Sequence, residues 1–196
     1  MIKLVIAAVI AYFLGNISPS ITISKLKGGD IRKEGSGNAG TTNMLRTYGK
    51  KAALITLAID IAKGASAVLI GRGLSGEKGA CICAVCVMIG HIWPALHHFK
   101  GGKGVAACLG ALLALNPAMA LAELLIALII MAVTKMVSAG SVTAAALIPA
   151  ASLVFKRDFL VWSVIMAAIV IFKHRSNISR ILSGTESRLD FSKYKK

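Results

Sequence analysis

Two short stretches rich in glycine and positive charge hold most of the residues that could do chemistry in this chain. They read GSGNAGTTNMLR (residues 35–46) and HHFKGGKGV (residues 97–105). In the first, three glycines allow successive backbone N–H groups to turn toward one point and form an anion-binding nest. Ser36, Asn38, Thr41, Thr42 and Asn43 add neutral polar groups, and Arg46 adds a planar fork suited to phosphate. In the second, Gly101, Gly102 and Gly104 free the backbone while Lys100 and Lys103 supply point charges. A helix starting near Gly104 would aim its own N-terminal N–H groups at the same anion. Lys103 is followed by Gly104 and not by Ser or Thr, so the loop is not a nucleotide-binding P-loop. The plainer alternative for each stretch is a solvated turn carrying a basic anchor.

A third group of polar residues is split along the chain. SAGSVT (residues 138–143), which includes Ser141, opens one apolar segment, and HRSNISRILSGTE (residues 174–186) follows the last one. His174 and Asn177 share a face if the final helix continues through them. Hydroxyls at a helix start also serve as caps, and an interfacial histidine also serves as an anchor, so the residues alone leave both readings open. Asp60 and Lys63, three positions apart inside an apolar run, are expected to pair, because an unpaired charge there is costly. Glu123 lies in another such run and is expected to face the interior of a bundle. The His-x4-Asp pattern of the common glycerolipid acyltransferases is absent, as is the Gly-x-Ser-x-Gly elbow of hydrolases.

The elements that must position these residues are apolar helices. Of 196 residues 56% are hydrophobic and the mean hydropathy is +0.75, which places the chain among integral membrane proteins. The expected architecture is a single domain over residues 1–196, an all-α polytopic bundle of about seven spans. These are 2–24, 52–70, 79–97, 104–116, 118–134, 137–155 and 158–173, the fourth being short for a bilayer. The net charge of +15 does not imply nucleic acid. Segments 25–51, 98–103, 135–136 and 173–196 fall on one side of such a bundle and carry 17 lysines and arginines; the opposite loops carry five. That asymmetry predicts a cytoplasmic C-terminus and an N-terminus outside, with every polar motif on the cytoplasmic face. The cysteines, three of them at Cys81, Cys83 and Cys86, are read as small packing residues, with no metal site. One-sided motifs fit an enzyme better than a transporter of a phosphorylated metabolite, which needs access from both faces.

Taken together the motifs resemble those of the membrane-bound bacterial acyl-phosphate:glycerol-3-phosphate acyltransferases. GSGNAGTTNMLR is similar to the family's first motif throughout. Gly90, His91 and Pro94, followed by FKGGKGVA, are similar to the second, which departs at Ala107 where the family has Thr. His174–Arg180 with Gly184 and Glu186 are similar to the third. The resemblance implies transfer of an acyl group from acyl phosphate to the C1 hydroxyl of glycerol 3-phosphate, without cofactor or metal. It implies that Ser36, Asn38, Arg46, Ser141, His174 and Asn177 line the reacting centre. It places Gly37, Gly40, Thr42, Asn43, Lys100, Gly101, Gly102, Lys103, Gly104 and Glu186 in substrate binding, with Lys103 and the neighbouring glycines on the phosphate. A chain of this family is expected to work as a monomer in the inner membrane, with lipid and possibly other phospholipid-synthesis enzymes as neighbours.

Overall fold

The structure is a computed structural model that describes residues 1–189, and among these the secondary structure is entirely helical. Lys193, Lys195 and Lys196 of the cationic C-terminal stretch lie outside the described residues. Two compact units make up the chain, Met1–Leu115 and the part from Asn116 onward.

The first unit starts with α1 (Ile2–Asn16) and α2 (Pro19–Leu26), separated by two non-helical residues. The break has a local cause. Proline at position 19 has no N–H, so the carbonyl four residues earlier, that of Gly15, cannot find its helical partner. Lys63 supplies one instead: its Nζ donates to the Gly15 carbonyl at 3.0 Å and also to that of Ile17. Beyond α2 a short 3-10 turn (Ile31–Lys33) leads to the first glycine-rich loop and then to α3 (Thr41–Ile92).

Straight, α3 would be about 78 Å long, against a hydrocarbon core of about 30 Å. It is instead broken at Ser75 and Gly76, where Gly76 takes a φ of 62°. Gly71 and Gly79 would stand about 12 Å apart along an unbroken helix. Here each packs against the carbonyl oxygen of the other, so the chain reverses between them. α3 is therefore a helical hairpin with limbs at about 50–74 and 77–92. The second limb lies against α1 where Gly15 meets Gly90, and the first lies against α4 (Val105–Leu115) where Gly64 and Gly110 touch the backbones of Ala107 and Ile61. Small residues at such crossings let helix backbones approach within van der Waals contact, the main source of helix association in lipid.

The second unit holds α5 (Pro117–Thr134), α6 (Val137–Phe155), α7 (Leu160–Lys173) and α8 (Arg175–Leu182). Asn116 starts α5: its Oδ1 accepts from Met119 N at 3.0 Å, and its Nδ2 donates to the Phe155 carbonyl that ends α6. Gly140 fits against the Ala127 carbonyl, closing the α5–α6 hairpin, and Ser152 and Ser163 meet at 3.1 Å between α6 and α7.

Six of the seven expected spans fall mainly on one helix or helix limb each, and the first, 2–24, is divided into α1 and α2 by the break at Ile17 and Ser18. Four helical stretches are long and apolar enough to cross a membrane, or five if the bent pair α7–α8 is one. One of the four is α3 with its extension to His97, which the hairpin divides into two expected spans. α4, with 11 residues, is the shortest, as expected for the fourth. The final helix does not run on through His174: the axis bends by 61° between α7 and α8.

The crossings make a stability prediction. A side chain added at Gly64 or Gly110 meets backbone atoms that cannot yield, a defect of about 1–3 kcal/mol or more. Gly64→Leu and Gly110→Leu should each lower the unfolding temperature in detergent. Gly73→Leu, on the same hairpin with open space around it, should not.

Candidate active site

In the first unit, the loop of residues 35–40 is organised from its centre by one amide. Asn43 is 1% exposed. Its Oδ1 accepts from Ser36 N at 2.9 Å, and its Nδ2 lies within 3.1 Å of the carbonyls of Ile31, Glu34 and Asn38. Gly35 and Gly37 take φ of 57° and 69°, which the tight path around that amide requires. The loop rests on a small apolar core of Ile21, Ile31, Ala39, Met44, Ala52 and Ala53. Ser36 is left exposed, Asn38 and Arg46 half-buried, and Thr42 sits in the first turn of α3. Thr41, beside it, has a buried hydroxyl with no hydrogen-bond partner among the described residues.

The second loop is clipped onto the end of α3. Gly101 N donates to the Ile92 carbonyl and Gly102 N to the His91 carbonyl, both at 3.2 Å. These two N–H groups are thus committed to protein, and the backbone of Gly101 and Gly102 is tied down. The N–H groups that remain at the head of α4, from Gly104 on, have no partner within the helix by its geometry. Gly102 is needed for a different reason than approach to an anion: a methyl there would strike the His91 ring and the Ala39 carbonyl. That same contact brings the two glycine-rich loops side by side. Arg32 ties them again, donating from Nη1 to the His97 carbonyl at 3.1 Å while pairing with Asp30 at 2.7 Å. The Arg32 guanidinium holds the Asp30 carboxyl down to about 2. Lys103 is half-buried and Lys100 exposed.

In the second unit the two parts of the third motif come together around Glu186. Its Oε1 accepts from Ser138 Oγ and Asn177 Nδ2, each at 2.7 Å, and its Oε2 pairs with Arg180 Nε at 2.7 Å. Burial works to raise the Glu186 carboxyl, but these hydrogen bonds outweigh it and hold the group below the usual carboxylate range. A carboxylate so engaged is an organiser of its neighbours, and its charge would repel a phosphate. The segment also returns to the α5–α6 turn, where Leu189 N donates to the Lys135 carbonyl.

His174 occupies the bend between α7 and α8 and is 3% exposed. Its Nδ1 lies 2.8 Å from the Val170 carbonyl. A carbonyl can only accept, so Nδ1 carries the proton in this bond. Ser141, one turn into α6, donates its hydroxyl to the Val137 carbonyl at 3.0 Å.

Sequence reasoning thus located the polar clusters; within them Asn43 and Glu186, both expected at the substrate, hydrogen-bond to their own loop and neighbours. It gave His91 no role, although its neighbours Gly90 and Pro94 form a recognisable Gly-His-x-x-Pro pattern.

Comparison with known proteins agrees with this architecture. The glycerol-3-phosphate acyltransferase family matches over residues 5–184. A glycerol-3-phosphate acyltransferase of Clostridioides difficile is 44% identical over 193 residues, covering 94% of this chain and 95% of its own. One from Neisseria meningitidis is 43% identical, covering 93% and 96%. A crystal structure of PlsY (YgiH), an integral membrane glycerol 3-phosphate acyltransferase in its glycerol 3-phosphate form, superimposes with a TM-score of 0.92 at 34% identity, covering 97% of each chain. Its lysophosphatidic acid form gives 0.88. With apolar helices in the order of that integral membrane enzyme and a match along nearly its whole length, this chain belongs to the glycerol-3-phosphate acyltransferase family.

Proposed function

We propose that this acyltransferase takes its acyl group from acyl phosphate and passes it to the C1 hydroxyl of glycerol 3-phosphate, releasing 1-acylglycerol 3-phosphate and inorganic phosphate. The observation that carries this reading is the pair of glycine-rich cationic loops held side by side in the first unit, through Gly102 against Ala39 and Arg32 on His97. Two phosphate-bearing substrates ask for two anion-binding elements. The related PlsY structures, in glycerol 3-phosphate and lysophosphatidic acid forms, support acceptor and product of this kind. The family membership favours this reading over export of a phosphorylated metabolite.

In this reading Lys103 and the head of α4 bind the acceptor's phosphate, with Lys100 adding field at the loop's edge. Ser36, Asn38, Thr42 and Arg46 serve the donor's phosphate and the developing charge on the acyl oxygen. His174 takes the hydroxyl proton at Nε2 as the C1 oxygen attacks the acyl carbon. The acyl carbon–oxygen bond to phosphate then breaks, and phosphate leaves with the electron pair. Asn177 and Ser141 line the reacting centre with that histidine. Because the donor is already activated, alignment and charge stabilisation suffice, and no covalent acyl-enzyme is formed. Asn43 and Glu186 act from beneath, setting the shape of the groups that touch substrate. The cationic segments put the reacting groups on the cytoplasmic face of the inner membrane, with a cytoplasmic C-terminus and the N-terminus outside.

Four outcomes are expected. With purified protein in detergent, acyl phosphate should support lysophosphatidate formation and acyl-CoA or acyl carrier protein little or none; equal rates with acyl-CoA would overturn the donor. Lys103→Ala, losing a charge-assisted contact of about 1.5–3 kcal/mol, should lower kcat/KM by about 10- to 150-fold, mostly through the KM for glycerol 3-phosphate. His174→Gln should lower kcat by about 100-fold or more, and an unchanged kcat would move the base to an oxygen of the acyl phosphate itself. A cysteine at Lys100 should react with impermeant reagents only from the cytoplasmic side, and labelling of intact cells from outside would reverse the orientation.

A further inference from the structure

A cluster of three ionisable side chains lies away from the substrate-facing residues assigned above. Asp60, Lys63 and His91 are 1%, 4% and 6% exposed. Lys63 Nζ donates to the carbonyls of Gly15 and Ile17 and lies 2.9 Å from His91 Nδ1. Asp60 Oδ1 sits 2.8 Å from the same nitrogen as an ion pair and 3.3 Å from His91 Nδ1. An ammonium has three hydrogens. Two carbonyls take two of them, the third faces His91 Nδ1 and Asp60 Oδ1, and the carboxylate balances the charge. The Nδ1 edge of the His91 ring is thus held between an ammonium and a carboxylate.

The orientation matters because of where the other edge of the ring goes. His91 Nε2 lies against Gly102, and the His91 carbonyl accepts Gly102 N. Ring and backbone of one residue thus hold one residue of the second glycine-rich loop, immediately before Lys103. A histidine on a flexible stem could swing aside. This one is gripped at its far edge by a buried ammonium that is itself fixed to α1 and to the opposite limb of α3.

We infer that Asp60, Lys63 and His91 are positioning residues for the acceptor's phosphate, acting by pinning the His91 ring against Gly102 so that Lys103 is presented at a fixed place. The inference rests on the reading that this loop binds glycerol 3-phosphate. The groups touch no substrate; their contribution is the preorganisation of a loop that would otherwise sample several paths.

The test separates this from a purely structural role. Asp60→Leu combined with Lys63→Met removes both charges together, so no uncompensated ion remains buried. His91→Asn keeps an acceptor for Lys63 in place of Nδ1 and removes the wall beside Gly102. For both variants the KM for glycerol 3-phosphate should rise by about 10-fold, with a smaller change in kcat and none in the KM for acyl phosphate. Hydrogen exchange at the amides of Gly101 and Gly102 should speed up in both. Lys103→Ala is the control: if it leaves the KM for glycerol 3-phosphate unchanged, the phosphate-loop reading fails. If Lys103→Ala raises that KM while His91→Asn leaves KM and amide exchange at wild-type values, the positioning role fails. If the double variant does not fold, His91→Asn decides the matter alone by the same two readouts.

Discussion

A single buried ammonium group joins three parts of the first unit. Lys63 rises from the first limb of α3, caps the carbonyls left open where Pro19 interrupts the α1–α2 run, balances Asp60 one turn away and holds His91 on the second limb. A charge in a bilayer is tolerated only with its partners in place, and the full set of partners here comes from segments far apart in sequence. The α1 break, the α3 hairpin and the seating of the FKGGKG loop are consequently coupled. Displacing any one of them would leave a charge or a carbonyl unsatisfied in an apolar surround.

The same design recurs at smaller scale in both polar clusters. In each, one side chain with several hydrogen-bonding positions sits at the centre and consumes the surrounding backbone or side-chain groups: Asn43 in the first loop, Glu186 in the third motif. The residues left facing outward are then held by their neighbours and need no further ordering when a substrate arrives. For a reaction whose donor is already activated, that stiffness is most of what a protein can contribute.

Much of this was legible from residue types and spacing. Hydrophobic runs gave the helices, loop punctuation gave their ends, and the pairing of Asp60 with Lys63 followed from the cost of burying either alone. The dense donors of residues 35–46 and 97–105 marked the loops. What spacing could not give was direction. A glycine needed because an anion approaches and one needed because a histidine ring occupies the space look alike in sequence, and Gly102 is of the second kind. Asn43 and Glu186 have the polar chemistry of substrate ligands, and the hydrogen bonds they make within their own clusters could not be read from residue type. The bend at His174 also escaped a periodicity argument, because helix-compatible residues continue on both sides of it. His91 was invisible for a related reason: its partners lie 28 and 31 positions earlier, across a hairpin whose reversal depends on the close meeting of Gly71 and Gly79.

The placing of Asp60 and Lys63 on adjacent turns of one helix also bears on how the chain enters the membrane. A lysine whose only counter-charge came from a later segment would have to cross into lipid unaccompanied while the ribosome was still making its partner. Here the neutralising carboxylate is carried by the same helix, three residues ahead, and emerges first. The Asp60–Lys63 pair can therefore leave the insertion machinery already neutral. α1 is by then in place to offer its open carbonyls, and His91 completes the set about thirty residues later, when the second limb folds back. Biogenesis and the finished structure thus use the same contacts in the order in which synthesis delivers them.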